Sequence, residues 1–538
     1  MRLEVLCFAS TQPPRQLQMI HSTSDSEAGM RSNSSSPVRG RPFALSCAAL
    51  ILGAGESAIT YDAMVGLNWA LLALGAALAI PVCSRRPKVR ISAQDWGFVT
   101  LVLMLATALG ITADRFWQFL IATALMVTLS VPVLGLLGRR GEPDSPLGWV
   151  LAPFRSLSGA FDECARRMRE LLEQLRADAS IPIIRAVSLC LPVVAVLALL
   201  LSGSDPTLAA MRDAIAKALA QISIIPHTLW FGLLSALTLG GLGLALRPRL
   251  AISDTLPPAC GGLQFSRTDQ LAVLGSAATL FAAYLALQVS YLFANSAALP
   301  GSHVTYAEAV HRGFGQLNAA VTLSALIIYT LSSRSAVNPL PRLCKAAAIV
   351  LIVESQVLAI SALHRVRLYE EAYGYTEQRL LVEVYSGAVM AVMAMLGWET
   401  LYGLQIGRLA RRTWVLGVLT LCAVVFWNHE AWIVHANMVR YRQTGRLDAA
   451  YLIYGLGPDG LPELTRSLTT LEPSLQAQLQ DCIRVMATTR YGSMRRYRWF
   501  EWTTRRKAVR QVLGNYPHPT GTNRPSPASC RIARIAPR

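Results

Sequence analysis

The sequence predicts an all-α, polytopic transmembrane helical bundle of about eleven spans, followed by a small helical C-terminal domain. Three observations carry that prediction. The chain is 53% hydrophobic and only 15% charged, with a mean hydropathy of +0.39, far from the soluble average. Apolar stretches long enough to cross about 30 Å of hydrocarbon recur as far as Phe426. Arginine gathers in the short connections between them, where it orients spans, so the net charge of +18 is weak evidence for a nucleic-acid partner.

Residues 1–41, with "HSTSDSEAGMRSNSSSPVRGRP", are rich in Ser, Pro and Arg without periodicity and read as a disordered leader. They lack the apolar core of a signal peptide, and Met30 is an alternative start. The transmembrane domain is expected over 42–428, with spans near 43–60, 65–83, 96–113, 116–137, 182–202, 226–246, 271–294, 317–333, 345–363, 380–402 and 412–428. Glu56 and Ser57 interrupt the first span, and the eighth is short. A helical extramembrane domain is expected over 429–513 and a disordered tail over 514–538.

Every even-numbered span ends on a basic connection: Arg85, Arg86, Lys88 and Arg90; Arg139 and Arg140; Arg247, Arg249 and Arg267; Arg334, Arg342 and Lys345; Arg408, Arg411 and Arg412. This places those connections and the N-terminus in the cytoplasm, and eleven spans then put the C-terminus outside. The tail is itself Arg-rich, but the charge rule loses force in long segments.

Two connections look helical without spanning. "FDECARRMRELLEQLRADA" (161–179) carries an apolar stripe with the pairs Asp162–Arg166, Glu163–Arg167 and Arg169–Glu173 at i, i+4. It reads as a salt-bridged cytoplasmic helix beside the bundle, with a lipid-sensing interfacial helix as the alternative. "PTLAAMRDAIAKALAQI" (206–222) is expected to lie flat on the outer leaflet.

Three polar stretches could carry chemistry. In "TYAEAVHRGFGQL" (305–317), Thr305 and Glu308 have the spacing of a capping box, and Glu308 and Arg312 form an i, i+4 pair. "LHRVRLYEEAYGYTEQRL" (363–380) is a charged loop between spans nine and ten, where Arg365, Arg367, Glu370, Glu371, Glu377 and Arg379 surround three tyrosines. "NHEAWIVHANMVRYRQTGRLDAAYL" (428–452) leaves the last span as an amphipathic helix.

These stretches, together with "LQVSYLF" (287–293), "GLGPDGLP" (455–462) and "RWFEWTTRRKA" (498–508), resemble an uncharacterised family of polytopic bacterial inner-membrane proteins of the domain-of-unknown-function 4173 / 4153 type. The resemblance covers roughly 180–513 and rests on Tyr291, Thr305, Tyr306, Glu308, Gly313, Phe314, Arg367, Tyr369, Glu371, Tyr373, Gly374, Thr376, Arg379, Asn428, Asn437, Arg440, Asp448, Tyr451 and Pro462. Ala309 and His311 depart from the pattern, which puts any role for His311 in doubt. What the resemblance implies is an inner-membrane protein with an appended C-terminal domain; it brings no activity.

With eleven spans the three polar stretches emerge on one side and converge. The ligand-binding candidates are Tyr306, Glu308, Arg312, Arg367, Tyr369, Glu371, Arg379, Asn428, Asn437, Arg440 and Asp448, and Glu354, near the middle of span nine, is the candidate proton relay. No recognised ligand spacing, Gly-rich phosphate loop or nucleophile elbow is present, so no metal or cofactor is expected and no catalytic residue is assigned. The ten cysteines lack a Cys-x-x-Cys pair and read mostly as small hydrophobes; Cys482 and Cys530 alone could pair, if the tail lies outside the cytoplasm. "MRRYRWFEWTTRRKAVRQVL" (494–513) is expected to meet anionic headgroups or the protein's own surface rather than nucleic acid. The expected role is a non-enzymatic, sensor-like or scaffold-like membrane component that contacts lipids and binds a small-molecule or protein ligand at the outer-face cluster. The alternatives are a proton-coupled transporter using Glu354 and a membrane enzyme acting on a lipid-linked substrate.

Overall fold

A helix satisfies its backbone hydrogen bonds internally, so a chain of long apolar segments crosses a bilayer as a helical bundle. A computed structural model describes residues 41–84, 93–136, 146–177, 224–246, 265–288, 306–333 and 340–516. The bundle helices are α1 (Arg41–Thr60), α2 (Leu67–Ser84), α3 (Ala93–Ile111), α4 (Arg115–Leu136), α5 (Pro146–Ala177), α6 (Ile224–Leu246), α7 (Arg267–Gln288), α8 (Tyr306–Ser333), α9 (Arg342–Tyr373), α10 (Glu377–Tyr402) and α11 (Ile406–Trp427). Then come α12 (His429–Thr444), α13 (Ala449–Tyr454), α14 (Leu461–Ser467), α15 (Pro473–Thr489) and α16 (Thr504–Gly514).

Among the described residues eight helices are long and apolar enough to cross a membrane, namely α1, α4 and α6 to α11; α2 and α3 hold shorter apolar runs, Leu67–Leu78 and Trp96–Ile111. The expected span at 182–202 and the expected surface helix at 206–222 lie outside the described residues, as do the leader and the tail beyond Tyr516.

Along the described chain the spans alternate in direction, except that α4 and α6 both start at the end that meets the C-terminal helices. The α1–α2, α3–α4 and α9–α10 turns and the end of α11 meet the C-terminal helices, and this end is called the cap end. The other end is marked by Lys345 Nζ donating to the carbonyl of Leu401 at 3.1 Å and Gln270 Nε2 to that of Leu331 at 3.2 Å. There Glu399, wholly buried, pairs with Arg408 and with Arg412 at 3.0 Å. One apolar core joins α2, α3, α4 and α11 around Leu105, Ile121 and Cys422, and another joins α7, α8, α9 and α10 around Leu274, Ile328, Leu351 and Met393. A third, around Ile433, Ile453, Leu479, Ile483 and Val509, unites α12 to α16.

Two expectations need correcting. The charged stretch 363–380 is not a loop. Helix α9 runs on to Tyr373 and α10 begins at Glu377, leaving a three-residue turn stopped by Gly374 at φ +91 and restarted by Thr376 as N-cap. Glu370 and Glu371 are therefore helical. Helix α5 begins at Pro146, well before the expected 161, and Arg166 turns to Glu163 and Glu170 rather than Asp162. The expected Glu163–Arg167 pair forms at 3.0 Å.

Candidate functional site

At the cap end, the sequence provides helix termini whose free backbone groups need partners, and polar side chains supply them. Asn428 adopts the left-handed conformation at φ 58, ending α11 and capping α12 through its side-chain oxygen. Asp114 caps α4, accepting from the N–H groups of Phe116 at 2.8 Å and Trp117 at 3.2 Å. Asp448 caps α13 through Tyr451 N–H at 2.9 Å.

The α9–α10 turn is clamped from α12. Asn437 donates to the carbonyl of Tyr375 at 2.8 Å and accepts from its N–H at 3.0 Å. Arg440 donates to the carbonyls of Glu371, at 2.9 Å, and Ala372. Arg379 lies 4.3 Å over the ring of Tyr369 and donates to the carbonyl of Gly374. Arg367 meets Glu383 at 3.5 Å. The structure thus brings together Arg367, Tyr369, Glu371, Arg379, Asn437 and Arg440, but the donors of Asn437, Arg379 and Arg440 serve backbone carbonyls. The side chains of Tyr306, Glu308 and Arg312 lie outside the described residues.

Deeper, against the bundle, four carboxylates converge. Asp459, in the turn before α14, is fully buried; its oxygens accept from Ala113 N–H at 2.9 Å, Thr112 Oγ1 at 2.6 Å and Arg505 Nη1 at 2.9 Å. Arg505 also donates to the carbonyl of Val425 at the end of α11. Glu377 accepts from Trp117 Nε1 at 2.9 Å and lies 3.3 Å from His429 Nε2. Its backbone N–H donates to the hydroxyl of Tyr451 at 2.6 Å. His429 is buried against the Trp117 ring at 4.6 Å, and its Nδ1 has no hydrogen-bond partner among the described residues.

Glu430 is 1% exposed and accepts from Gly460 N–H at 3.0 Å. A Cβ built on Gly457 would sit 2.5 Å from Glu430 Oε1 and 2.6 Å from Asp114 Oδ2, so the two carboxyl oxygens flank the same backbone atom and only glycine fits between them. Burial pushes the Glu430 carboxyl well above the ordinary carboxylate range, and the charges of Asp459, Asp114 and Glu377 push it the same way. Burial raises Asp114 as well, against the two N–H groups it caps and with Asp459 and Glu377 adding to the rise. Burial lifts the phenols of Tyr451 and Tyr491 to about 12, so both hydroxyls keep their protons. A small cavity lined by Leu456, Gly457, Gly460, Leu464, Met486 and Tyr491 adjoins this junction.

The junction reaches the α1–α2 turn and the start of α2 too. Arg506 donates to the carbonyl of Val65 at 3.0 Å, and Leu67 N–H to that of Trp502 at 3.0 Å. The Arg- and Trp-rich stretch at 494–513 therefore packs its Arg505 and Arg506 into the protein itself.

Glu354 stands apart. It is partly buried on α9, its Oε2 is buried without a hydrogen-bond partner, and among the described residues no hydrogen-bonded chain runs to it from the cap end. Among the described residues no three His, Cys, Asp or Glu side chains are placed to hold a metal ion.

Sequence reasoning missed Asp114, Glu377, Glu430, Asp459 and Arg505 as a group. They come from places hundreds of positions apart, and the local signals available were the Gly-Pro-Asp-Gly turn at 457–460 and paired arginines at 505–506. Residues 98–467 match the model of a family described as "Domain of unknown function (DUF4153)", a stretch that starts earlier than the resemblance read from the motifs and holds all four junction carboxylates. No curated protein and no solved structure matches the chain.

Proposed function

The chain belongs to the DUF4153 family, a domain of unknown function, and on that premise we propose a non-enzymatic, sensor-like component of the bacterial inner membrane. In this reading residues 429–513 form an extracytoplasmic domain that senses its surroundings through a proton held at its junction with the bundle. The observation that carries the reading is Glu430, buried among three other carboxylates with the Gly460 N–H as its donor.

Two like charges about 5 Å apart, at an effective dielectric of about 20, repel by roughly 3 kcal/mol. Arg505 pairs with Asp459 and Arg506 acts on it at longer range, whereas among the described residues no basic side chain bonds to Glu430 or Asp114, so the closed junction favours at least one proton. Asp459 has three donors, Asp114 two and Glu377 two partners, which leaves Glu430 as the group best served by a proton. Its carboxyl is raised when buried and ordinary when the domain opens. Docking is therefore strongest below the solvent value of about 4.5 and weakens as pH climbs toward the raised, buried value.

Orientation is supported by Arg267, Arg342, Lys345, Arg408, Arg411 and Arg412, which flank connections at the end opposite the C-terminal helices, as the positive-inside rule requires of cytoplasmic loops. Cys482, in the core of the C-terminal helices, is disulfide-bonded, a state that an oxidising compartment favours; Cys530 lies outside the described residues. Arg379, Asn437 and Arg440 fit the same role as the lock between the α9–α10 turn and α12.

Protease added to spheroplasts tests both parts. Cleavage within 429–513 should increase from acid to alkaline pH in the native chain and lose that dependence in Glu430→Gln. Protection at every pH until the membrane is permeabilised would refute the outward orientation. Equal pH dependence in both chains would refute the proton.

A further inference from the structure

Between Arg490 and Gly514 the chain carries many basic residues and a single acidic one, Glu501. Arg505 and Arg506 are buried in the junction, but Arg496, Arg498, Lys507 and Arg510 are exposed, and among the described residues none of these four pairs with a carboxylate. Glu501 is buried and uses its oxygens for backbone, accepting from Met64 N–H at 3.2 Å and Arg498 N–H at 2.9 Å. Ring contacts gather the exposed cations into one patch. The Arg510 guanidinium lies 5.2 Å from the centre of the Tyr497 ring and that of Arg498 lies 5.8 Å from the centre of Phe500, which meets Trp499 edge-on at 5.5 Å. Lys507, three residues before Arg510, shares its face of α16. Trp499 is 70% exposed, far more than a ring of that size needs to be on a folded domain.

Backbone contacts fix the level of this patch. Helix α1 ends its apolar span at Thr60 and α2 begins at Leu67, so residues 61–66 turn at the membrane boundary. The turn at Trp499–Glu501 sits on them: a Cβ built on Gly66 would lie 2.5 Å from the carbonyl oxygen of Glu501, and Leu67 N–H donates to the carbonyl of Trp502. Trp499 is two residues from Glu501, about 7 Å of chain at most. The headgroup layer is itself about 5–7 Å deep on each side of the hydrocarbon. The spans show exposed rings at the same end, Phe116 in the first turn of α4 and Trp427 at the last residue of α11, where aromatic side chains mark the interface. Trp499 extends that belt from the C-terminal helices.

We propose that the turn at 496–500, with Lys507 and Arg510 beside it, is a docking surface for anionic lipid headgroups, Trp499 sitting in the interface and the basic side chains at the lipid phosphates. The occupant is lipid because the turn is bonded to the boundary between two membrane helices, where the bilayer is the neighbour that an exposed indole meets. It is anionic because the exposed charges around the ring are of one sign. Each basic side chain beside an anionic surface strengthens the attraction by roughly fivefold, an effect that salt screens. This docking depends neither on which side of the membrane the C-terminal helices occupy nor on the proton at Glu430, so its failure would leave the proton reading intact.

The test uses the full chain in vesicles of mixed phosphatidylcholine and phosphatidylglycerol, with a fluorescent non-natural aromatic residue at Trp499, or at the exposed Gln478 on α15 as control. Phosphatidylglycerol spin-labelled high on its acyl chain should quench the Trp499 position at least about threefold more than the Gln478 position, and about threefold more than the same fraction of labelled phosphatidylcholine. Salt at about 1 M, which shortens the screening length to about 3 Å, should bring the two lipids to parity. The combined variant Arg496→Gln, Arg498→Gln, Lys507→Gln and Arg510→Gln should do the same at low salt. Equal iodide quenching at both positions without lipid quenching would overturn the proposal by placing the turn in water, and shielding from both quenchers would overturn it by showing a protein cover. Parity of the two lipids in the native chain, or a preference for phosphatidylglycerol that survives both the salt and the variant, would overturn the electrostatic recognition.

Discussion

Replacing Arg505 with methionine keeps most of the side chain's length and removes its charge. Arg505→Met deletes the 2.9 Å bond to Asp459 Oδ2 and the bond to the carbonyl of Val425, and leaves a buried carboxylate facing Glu430 and Asp114 with no directly bonded counter-charge and only the more distant Arg506 acting on it. Removing one member of a buried pair costs about 3–5 kcal/mol, because the remaining charge is left unpaired. That corresponds to an increase of roughly a hundredfold to several thousandfold in opening of the C-terminal helices from the bundle. Hydrogen exchange reads it directly: amides of Leu452 to Leu468 and of α16 should lose protection, while those of α7 to α9 should not. Asp459→Asn in the same chain removes the stranded charge and should recover most of the loss. If Arg505→Met is protected like the native chain, or the double variant is as open as the single one, the charge argument for this junction is wrong.

Three further outcomes follow from the same geometry. Gly457→Ala forces a methyl between Glu430 and Asp114 and should lower stability by about 1–3 kcal/mol, seen as an earlier thermal midpoint in detergent. Asn437→Ala strips both partners from the Tyr375 backbone; a cost of about 1–3 kcal/mol should appear as faster exchange at Tyr375 and protease sensitivity at the α9–α10 turn. The opening free energy of the C-terminal helices should fall with rising pH above about 4.5, by up to about 1.4 kcal/mol per unit for one proton, and that slope should vanish in Glu430→Gln.

The spans were legible because hydropathy over about 20 residues is enforced by the bilayer. The expected 380–402 agrees with α10 at its far end, and 226–246 with α6. Where apolarity fades into charge, as after Leu363, hydropathy marks the end of the span but not of the helix. Helix α9 therefore continued unseen through Arg365, Arg367, Glu370 and Glu371. The first half of α5 was missed for the converse reason, since "PLGWVLAPF" is too short to span and too apolar to read as an amphipathic start.

At the cap end, Asn428, Asn437, Arg440 and Arg379 stood out as polar residues beside apolar spans, and the structure puts them to work on backbone carbonyls and helix caps. The carboxylate junction was invisible because Asp114 reads locally as a helix cap and Asp459 as a turn residue. Their shared burial with Glu430 arises only when α14 and α16 close over the α3–α4 turn.

Infrared difference spectroscopy of Glu430→Gln against the native chain, recorded through a pH series that starts just above the ordinary carboxyl value of about 4.5, tests the central claim most directly. The account predicts a carbonyl stretch of a protonated carboxylic acid in the native protein that disappears in the variant. Superimposable spectra in that region, with only the carboxylate bands changed, would show Glu430 ionised in the closed junction and contradict it.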